Sequence, residues 1–188
     1  MQMKKVLALC GSARRGGNTD LLLQEILLGA ENYGASTEKL YITDFNIKPC
    51  LGCTICKQQE DCAQDDDYRL LLDSIQNSHA VIIGSPVYMG QVTGQTKLFI
   101  DRLYQLRRGD RTLKFDGSQI RGAAVVTCGA PSQEHPQAAL ASLKLLFRFL
   151  NQPKVAEVVG TSLGPRGSVR ERDGLLEEAR EVGRKLVQ

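Results

Sequence analysis

Val6-Leu7-Ala8-Leu9-Cys10-Gly11-Ser12-Ala13-Arg14-Arg15-Gly16-Gly17-Asn18-Thr19 is the stretch that decides the fold. Val6 to Cys10 are apolar with no polar alternation, the pattern of a strand buried on both faces. Glycines then end the run, and a helical pattern begins at Thr19 and continues to residue 32. A strand that feeds a helix through a glycine-rich turn opens a parallel crossover unit.

The same alternation of patterns continues along the chain. Short apolar runs at 80–84 and 123–127 read as further doubly buried strands, each closed by Gly, Ser or Pro. Residues 38–42 and 156–163 alternate more and suit positions nearer a sheet edge. Helical spacing is present at 19–32, 68–78, 96–106, 137–150 and 168–186. The last of these has Ser168 and Glu171 at capping-box spacing, which predicts a helix starting there. Strand and helix in alternation imply parallel strands joined by right-handed crossovers with helices on both faces, a doubly wound α/β fold of five strands.

The 188 residues suit a single domain spanning 1–188, with a cysteine-rich loop insertion at about 43–67. Lys and Arg number 24 against 21 Asp and Glu, the basic residues are scattered, and aromatics make up 5% with no Trp. Nucleic-acid binding usually requires a concentrated basic face, often with stacking aromatics, so no nucleic-acid partner is expected. The first apolar run is too short for a signal-peptide core or a membrane span, which predicts a cytoplasmic protein with no membrane partner.

Ligands of open parallel sheets bind outside the carboxyl ends of the strands, where the winding reverses. The Gly11–Thr19 turn lies at such an end and gathers Ser12, Arg14, Asn18 and Thr19 at the positive start of a helix, where a phosphate is stabilised. A glycine turn with Asn18 as a simple N-cap is the plainer alternative. The segment is not a nucleotide P-loop, because Gly17 and Asn18 follow Gly16 where Lys and Ser or Thr are needed. It is not a dinucleotide fingerprint, because Ala13 replaces the second glycine. A nucleophilic-cysteine phosphatase would need arginine where Gly16 stands. A second loop, Pro86-Val87-Tyr88-Met89-Gly90, offers an apolar wall and backbone N–H groups to a planar redox ring.

Gly11-Ser12-x-Arg14-x-x-Gly17-Asn18-Thr19, Gly84-Ser85-Pro86-Val87-Tyr88-x-Gly90 and Lys97-x-Phe99-x-Asp101-Arg102 together resemble the NADPH-dependent FMN reductase family of flavodoxin-like flavoproteins. The resemblance implies FMN phosphate held by Ser12, Arg14, Asn18 and Thr19. It places the flavin ring against Pro86, Val87, Tyr88, Met89 and Gly90, with Thr127, Cys128 and Gly129 closing the other side. NAD(P)H would donate hydride to the flavin, which passes electrons to a quinone, a flavin or another small acceptor. No acid–base residue of the protein need take part, because the cofactor carries the chemistry. A homodimer or homotetramer is also implied. Lys97, Phe99 and Asp101 have helix packing as an equal alternative, His135 reads as a solvated loop residue, and His79 has no functional case.

Cys50, Cys53, Cys56 and Cys62 form C-x2-C-x2-C-x5-C. Gaps of two residues suit three corners of an iron–sulfur cubane, whereas zinc usually takes two widely separated pairs. The segment resembles the compact motif of iron-sulfur flavoproteins, which implies these four residues as ligands of a [4Fe-4S] cluster and a redox protein as partner. Similar loops without a cluster occur among flavin reductases, and both alternatives stand. Cys10 and Cys128, at the ends of buried strands, read as inert thiols. A phosphate-ligand domain without redox chemistry is the third alternative.

Overall fold

The computed structural model describes residues 3–188; Met1 and Gln2, the start of the expected domain, lie outside the described residues. The elements are β1 (Lys5–Cys10), α1 (Asn18–Glu31), β2 (Ser36–Tyr41), α2 (Tyr68–Gln76), β3 (Ala80–Pro86), α3 (Gly94–Arg102), β4 (Arg121–Thr127), α4 (Gln137–Phe149), β5 (Val155–Gly160) and α5 (Leu175–Val187). All strands pair in parallel in the order β2-β1-β3-β4-β5. The winding therefore reverses at β1, which lies between β2 and β3.

Side-chain alternation divides the strands between two cores. Leu7, Leu9, Val81, Ile83 and Val126 face Leu71, Ile75, Phe99, Leu143 and Phe147 from α2, α3 and α4. Val6, Ala8, Ile82 and Val125 face Leu22, Ile26 and Ala179 from α1 and α5. Burying each Leu, Ile or Phe contributes about 1.5–3 kcal/mol, so these two layers drive the fold. The central strands are covered on both faces, and for that reason they read as unbroken apolar runs. β2 is only half-buried along its length and β5 partly so, as expected of edge strands.

Two helices differ from the sequence reading. Residues 96–106 are not one helix: α3 starts at Gly94 behind the Thr93 N-cap, and a 3-10 turn takes over at Leu103–Leu106. Residues 168–186 are also divided. Ser168–Glu171 is a separate 3-10 turn, Gly174 at φ 75° breaks the chain direction, and α5 starts at Leu175. The expected capping box therefore does not form. Ser168 Oγ instead donates to Pro165 O at 2.9 Å and accepts from Asn18 Nδ2 at 3.3 Å. Tertiary bonds to Asn18 thus compete with the local cap. Among the described residues no helix is long and apolar enough to cross a membrane.

Candidate functional site

Gly17 is the N-cap of α1, so the first amides of the helix point free at its positive end. Among the described residues the amides of Ser12, Ala13, Arg15, Asn18 and Thr19 have no internal hydrogen-bond partner. Others in the turn are committed: Arg14 N donates to Ser12 Oγ at 3.1 Å and Gly16 N to Asp20 Oδ2 at 2.6 Å. Such a ring of unpaired N–H groups suits an anion with several oxygens.

Asp20 fixes this ring from beneath. It accepts from Gly16 N and from Tyr41 Oη at 2.9 Å, and pairs with Lys39 Nζ at 2.7 Å. Burial alone would raise its pKa, but the bonds from Lys39, Gly16 and Tyr41 prevail and hold it below the usual carboxylate value. The sequence reading did not single out Asp20, Lys39 or Tyr41; an acidic residue in the first helical turn was the available signal.

The two arginines of the turn have different roles. Arg15 pairs with Asp44 at 2.8 Å and stacks 3.9 Å over the Tyr41 ring. The Arg14 side chain is exposed and has no hydrogen-bond or ion-pair partner among the described residues.

Asn18 is held otherwise than as an expected phosphate donor. Its Nδ2 donates to Leu163 O at 3.1 Å and Pro165 O at 2.9 Å, while its Oδ1 accepts from Val169 N at 3.2 Å. The side chain thereby pins the loop after β5 over the turn, and the backbone N–H is the group left for a ligand. Thr19 Oγ1 lies 2.6 Å from Thr127 Oγ1, so one hydroxyl proton of the pair remains available.

The phosphate turn and the apolar loop are tied together. Thr93 Oγ1 and Gln95 Nε2 donate to Gly11 O at 2.8 and 3.0 Å, and Thr93 N donates to Ser85 Oγ at 3.1 Å. Gly11 has to be glycine, since a Cβ there would lie 2.0 Å from Thr96 Oγ1. Val87 N donates to Thr127 O at 2.8 Å, joining the second loop to β4.

A cleft of about 170 Å³ brings together Ser12, Arg14, Asn18, Thr19, Pro86, Val87, Tyr88, Thr127, Cys128 and Gly129. Leu163 and Gly164, which the sequence reading did not include, complete the lining. Met89 and Gly90 do not line it. They form the tip of a tight turn closed by Tyr88 and Gln91, with φ 48° and 80°, and Met89 is fully exposed. Cys128 and Cys10 are buried; burial raises both thiols, Cys10 to about 11, which suits inert roles.

The cysteine loop leaves β2 and returns to α2 along the same carboxyl edge of the sheet. All four of its cysteines are free, Cys50 and Cys53 exposed and Cys56 and Cys62 half-buried. Among the described residues no three Cys, His, Asp or Glu side chains meet as a metal site, so the spacing alone does not preform a cage. The loop is nonetheless anchored by cationic side chains. Lys114 Nζ donates to Cys56 O at 2.6 Å, Lys57 Nζ to Arg107 O at 2.7 Å, and Arg102 pairs with Asp66 at 2.7 Å with both side chains buried.

A parallel sheet with an amide-lined turn beside its winding reversal and an apolar wall next to it defines a flavodoxin-like protein. The model of the NADPH-dependent FMN reductase family matches residues 4–168, and the chain belongs to that family of oxidoreductases. An iron-sulfur flavoprotein of Methanocaldococcus jannaschii is 32% identical over 189 residues, 98% of this chain and 96% of that one. Another iron-sulfur flavoprotein, of Archaeoglobus fulgidus, is 34% identical over 185 residues, 98% of this chain and 79% of its own length. In fold, an NAD(P)H:quinone oxidoreductase of Methanothermobacter marburgensis superposes with a TM-score of 0.71 at 17% identity, covering 100% of this chain and 98% of that one.

Proposed function

We infer that the chain binds FMN in the cleft between the Gly11–Thr19 turn and the Pro86–Tyr88 wall and passes electrons from NAD(P)H to an acceptor. The observation that carries this reading is the ring of unpaired amides at Ser12, Ala13, Arg15, Asn18 and Thr19, which fits a phosphate monoester. Ser12 Oγ and Arg14 add a hydroxyl donor and a charge, and Thr127 with Cys128 and Gly129 would line the far side of the ring. Bound FMN supplies the two-electron chemistry, taking hydride from a nicotinamide. The protein's part is to hold and orient, to exclude water with Pro86 and Val87, and to leave one ring face open.

The cleft of about 170 Å³ is smaller than the roughly 300–1,000 Å³ typical of enclosed ligand pockets. A second copy of the chain closing over the cleft, as a homodimer or homotetramer, would enlarge it to that size. Free thiols throughout suit a reducing, cytoplasmic setting.

A second reading assigns Cys50, Cys53, Cys56 and Cys62 to a [4Fe-4S] cluster that exchanges single electrons with a redox protein. The relatives named iron-sulfur flavoproteins favour it, and so does the chemistry of four free thiols in one loop. The loop would close around the cluster on binding, as metal sites often do.

Anaerobically purified protein tests both readings. Stoichiometric FMN bleached in stopped flow by NADPH or NADH supports the first, and a protein that binds no FMN overturns it. Iron and acid-labile sulfide near four each per chain support the second; values near zero beside full FMN overturn it.

A further inference from the structure

β4 joins two hollows of the molecule. Its last residue, Thr127, lines the cleft assigned to FMN, and its first, Arg121, lines a cavity of about 720 Å³ at the amino edge of the sheet. Seven residues at about 3.3 Å each put the two roughly 20 Å apart. Unlike the cleft, this cavity falls within the roughly 300–1,000 Å³ of small-molecule sites. It opens between the starts of β4 and β5 and the end of α5, with apolar walls of Val155 and Ala156 from β5 and Val182 and Leu186 from α5. β5 is the last strand of the sheet, and a residue as small as Ala156 at the margin of the α1–α5 core layer leaves the space between strand and helix open.

Polar side chains fix the rim before any ligand arrives. Gln152 Nε2 donates to Ser118 O at 2.8 Å and Ile120 O at 3.0 Å, and its Oε1 accepts from Lys154 N at 2.9 Å, which ties together the loops before β4 and β5. Arg121 Nη1 donates to Lys185 O at 2.8 Å, which joins β4 to the end of α5.

The charge of the lining is one-sided. Arg121, Lys154 and Lys185 face the cavity, and no Asp or Glu among the described residues lines it. The hydrogen bond of Lys154 is made by its backbone N–H, which leaves Nζ without a partner among the described residues. Lys185 Nζ lies 3.5 Å from Glu181, but that carboxylate is shared with Arg184. Arg121 uses one N–H on the last turn of α5 and keeps others free. By contrast, the cavity of about 270 Å³ at the cysteine loop is lined by both signs of charge, and its unpaired Tyr68 Oη, Arg102 Nε and Gln105 Oε1 are groups that ordered water can pair.

We propose that this cavity is a second ligand site, which binds an amphipathic anion: a carboxylate or phosphate head held by Arg121, Lys154 and Lys185, with an apolar body against Ala156, Val182 and Leu186. Three cations around one hollow repel each other, and an anion relieves that repulsion while its body removes the apolar walls from water. Hydride transfer needs the reacting atoms in contact, so a ligand at the far end of β4 is not the acceptor of flavin electrons.

The full chain is titrated by isothermal calorimetry with octanoate, with octyl phosphate and, as the uncharged counterpart, with octanol. The expected result is one anion bound per chain, more tightly than octanol, and the tighter of the two anions names the head group. Lys154→Glu combined with Lys185→Gln should weaken the anion about tenfold or more, as loss of charged donors does. Both lysines are exposed, so the urea midpoint should stay near that of the parent. Ala156→Leu fills the hollow without changing its charge and should exclude the anion too. Absence of stoichiometric anion binding, octanol bound as tightly as the anions, or parent-like anion affinity in either variant overturns the proposal. No readout passes through the flavin, so these results leave the FMN reading untouched, and a flavin-free chain that binds octanoate leaves this site standing.

Discussion

Ser12 and Asn18 look alike in the sequence, as two polar residues in one glycine-rich turn, yet their bonds differ. Ser12 Oγ accepts from Arg14 N and keeps its proton for a ligand. Asn18 makes its bonds to residues 163–169, far along the chain. Ser12→Ala is therefore expected to weaken FMN binding about tenfold or more, the loss of one hydrogen bond to a charged group, with a smaller loss of stability than Asn18→Ala because only Arg14 N loses a partner. Asn18→Ala should lower stability by about 1–3 kcal/mol, because it leaves Val169 N and Leu163 O unpaired, and weaken FMN binding through the displaced loop. Fluorescence titration and urea unfolding of the two variants check this, and equal behaviour of the pair would contradict it.

At the scale of elements, α1 and α5 approach so closely that backbone touches backbone. A Cβ at Gly183 would lie 1.9 Å from Ile26 O, and one at Gly29 would lie 2.1 Å from Arg180 O. A backbone carbonyl cannot rotate aside as a side chain does, so the helices would have to separate. Gly183→Ala should thus destabilise by about 1–3 kcal/mol, the usual penalty of overpacking, even though alanine favours an isolated helix. Urea unfolding by circular dichroism measures it, and a neutral or stabilising outcome would contradict the contact. α1 also presents the phosphate turn, so its seating on α5 links the stability of one face of the sheet to the geometry of the site.

Over the whole molecule, ionisation should affect stability in two separate pH windows. His79 is half-buried beside Lys4 and Arg121, and burial and those cations lower its pKa below the usual 6.5. The native state therefore resists protonation, so its contribution is intact above about 6.5 and is lost as pH falls through the lower folded value. Asp20 and Asp66 are also lowered: burial works against them, but Lys39 and Arg102 with neighbouring amides prevail. Their stabilisation is present above the unfolded value near 3.8 and is lost as pH falls through the folded values. Unfolding midpoints should decline gently below pH about 6.5 and steeply below about 4. His79→Gln should flatten the first decline and leave the second. His79 lies at the opposite end of the sheet from the cleft, so FMN affinity should not follow it.

The two doubly buried layers were legible in the sequence because a strand covered on both faces must be apolar throughout, and such runs at 6–10, 80–84 and 123–127 reappear as β1, β3 and β4. The family was also legible, since the turn at Gly11 to Thr19 and the loop at Pro86 to Gly90 are contiguous in the chain. What the sequence left open depends on groups distant in the chain. The Ser168 cap gave way to Asn18, 150 residues away, and the long final helix was cut at Gly174. Asp20, Lys39 and Tyr41 converge beneath the turn only because β1 and β2 pair in register. The unpaired Tyr68, Arg102 and Gln105 around one cavity likewise follow from the seating of α2 and α3 on the sheet. Periodicity reports which face of an element is buried; which polar atoms meet, and which are left without a partner, is decided only when separate elements come together.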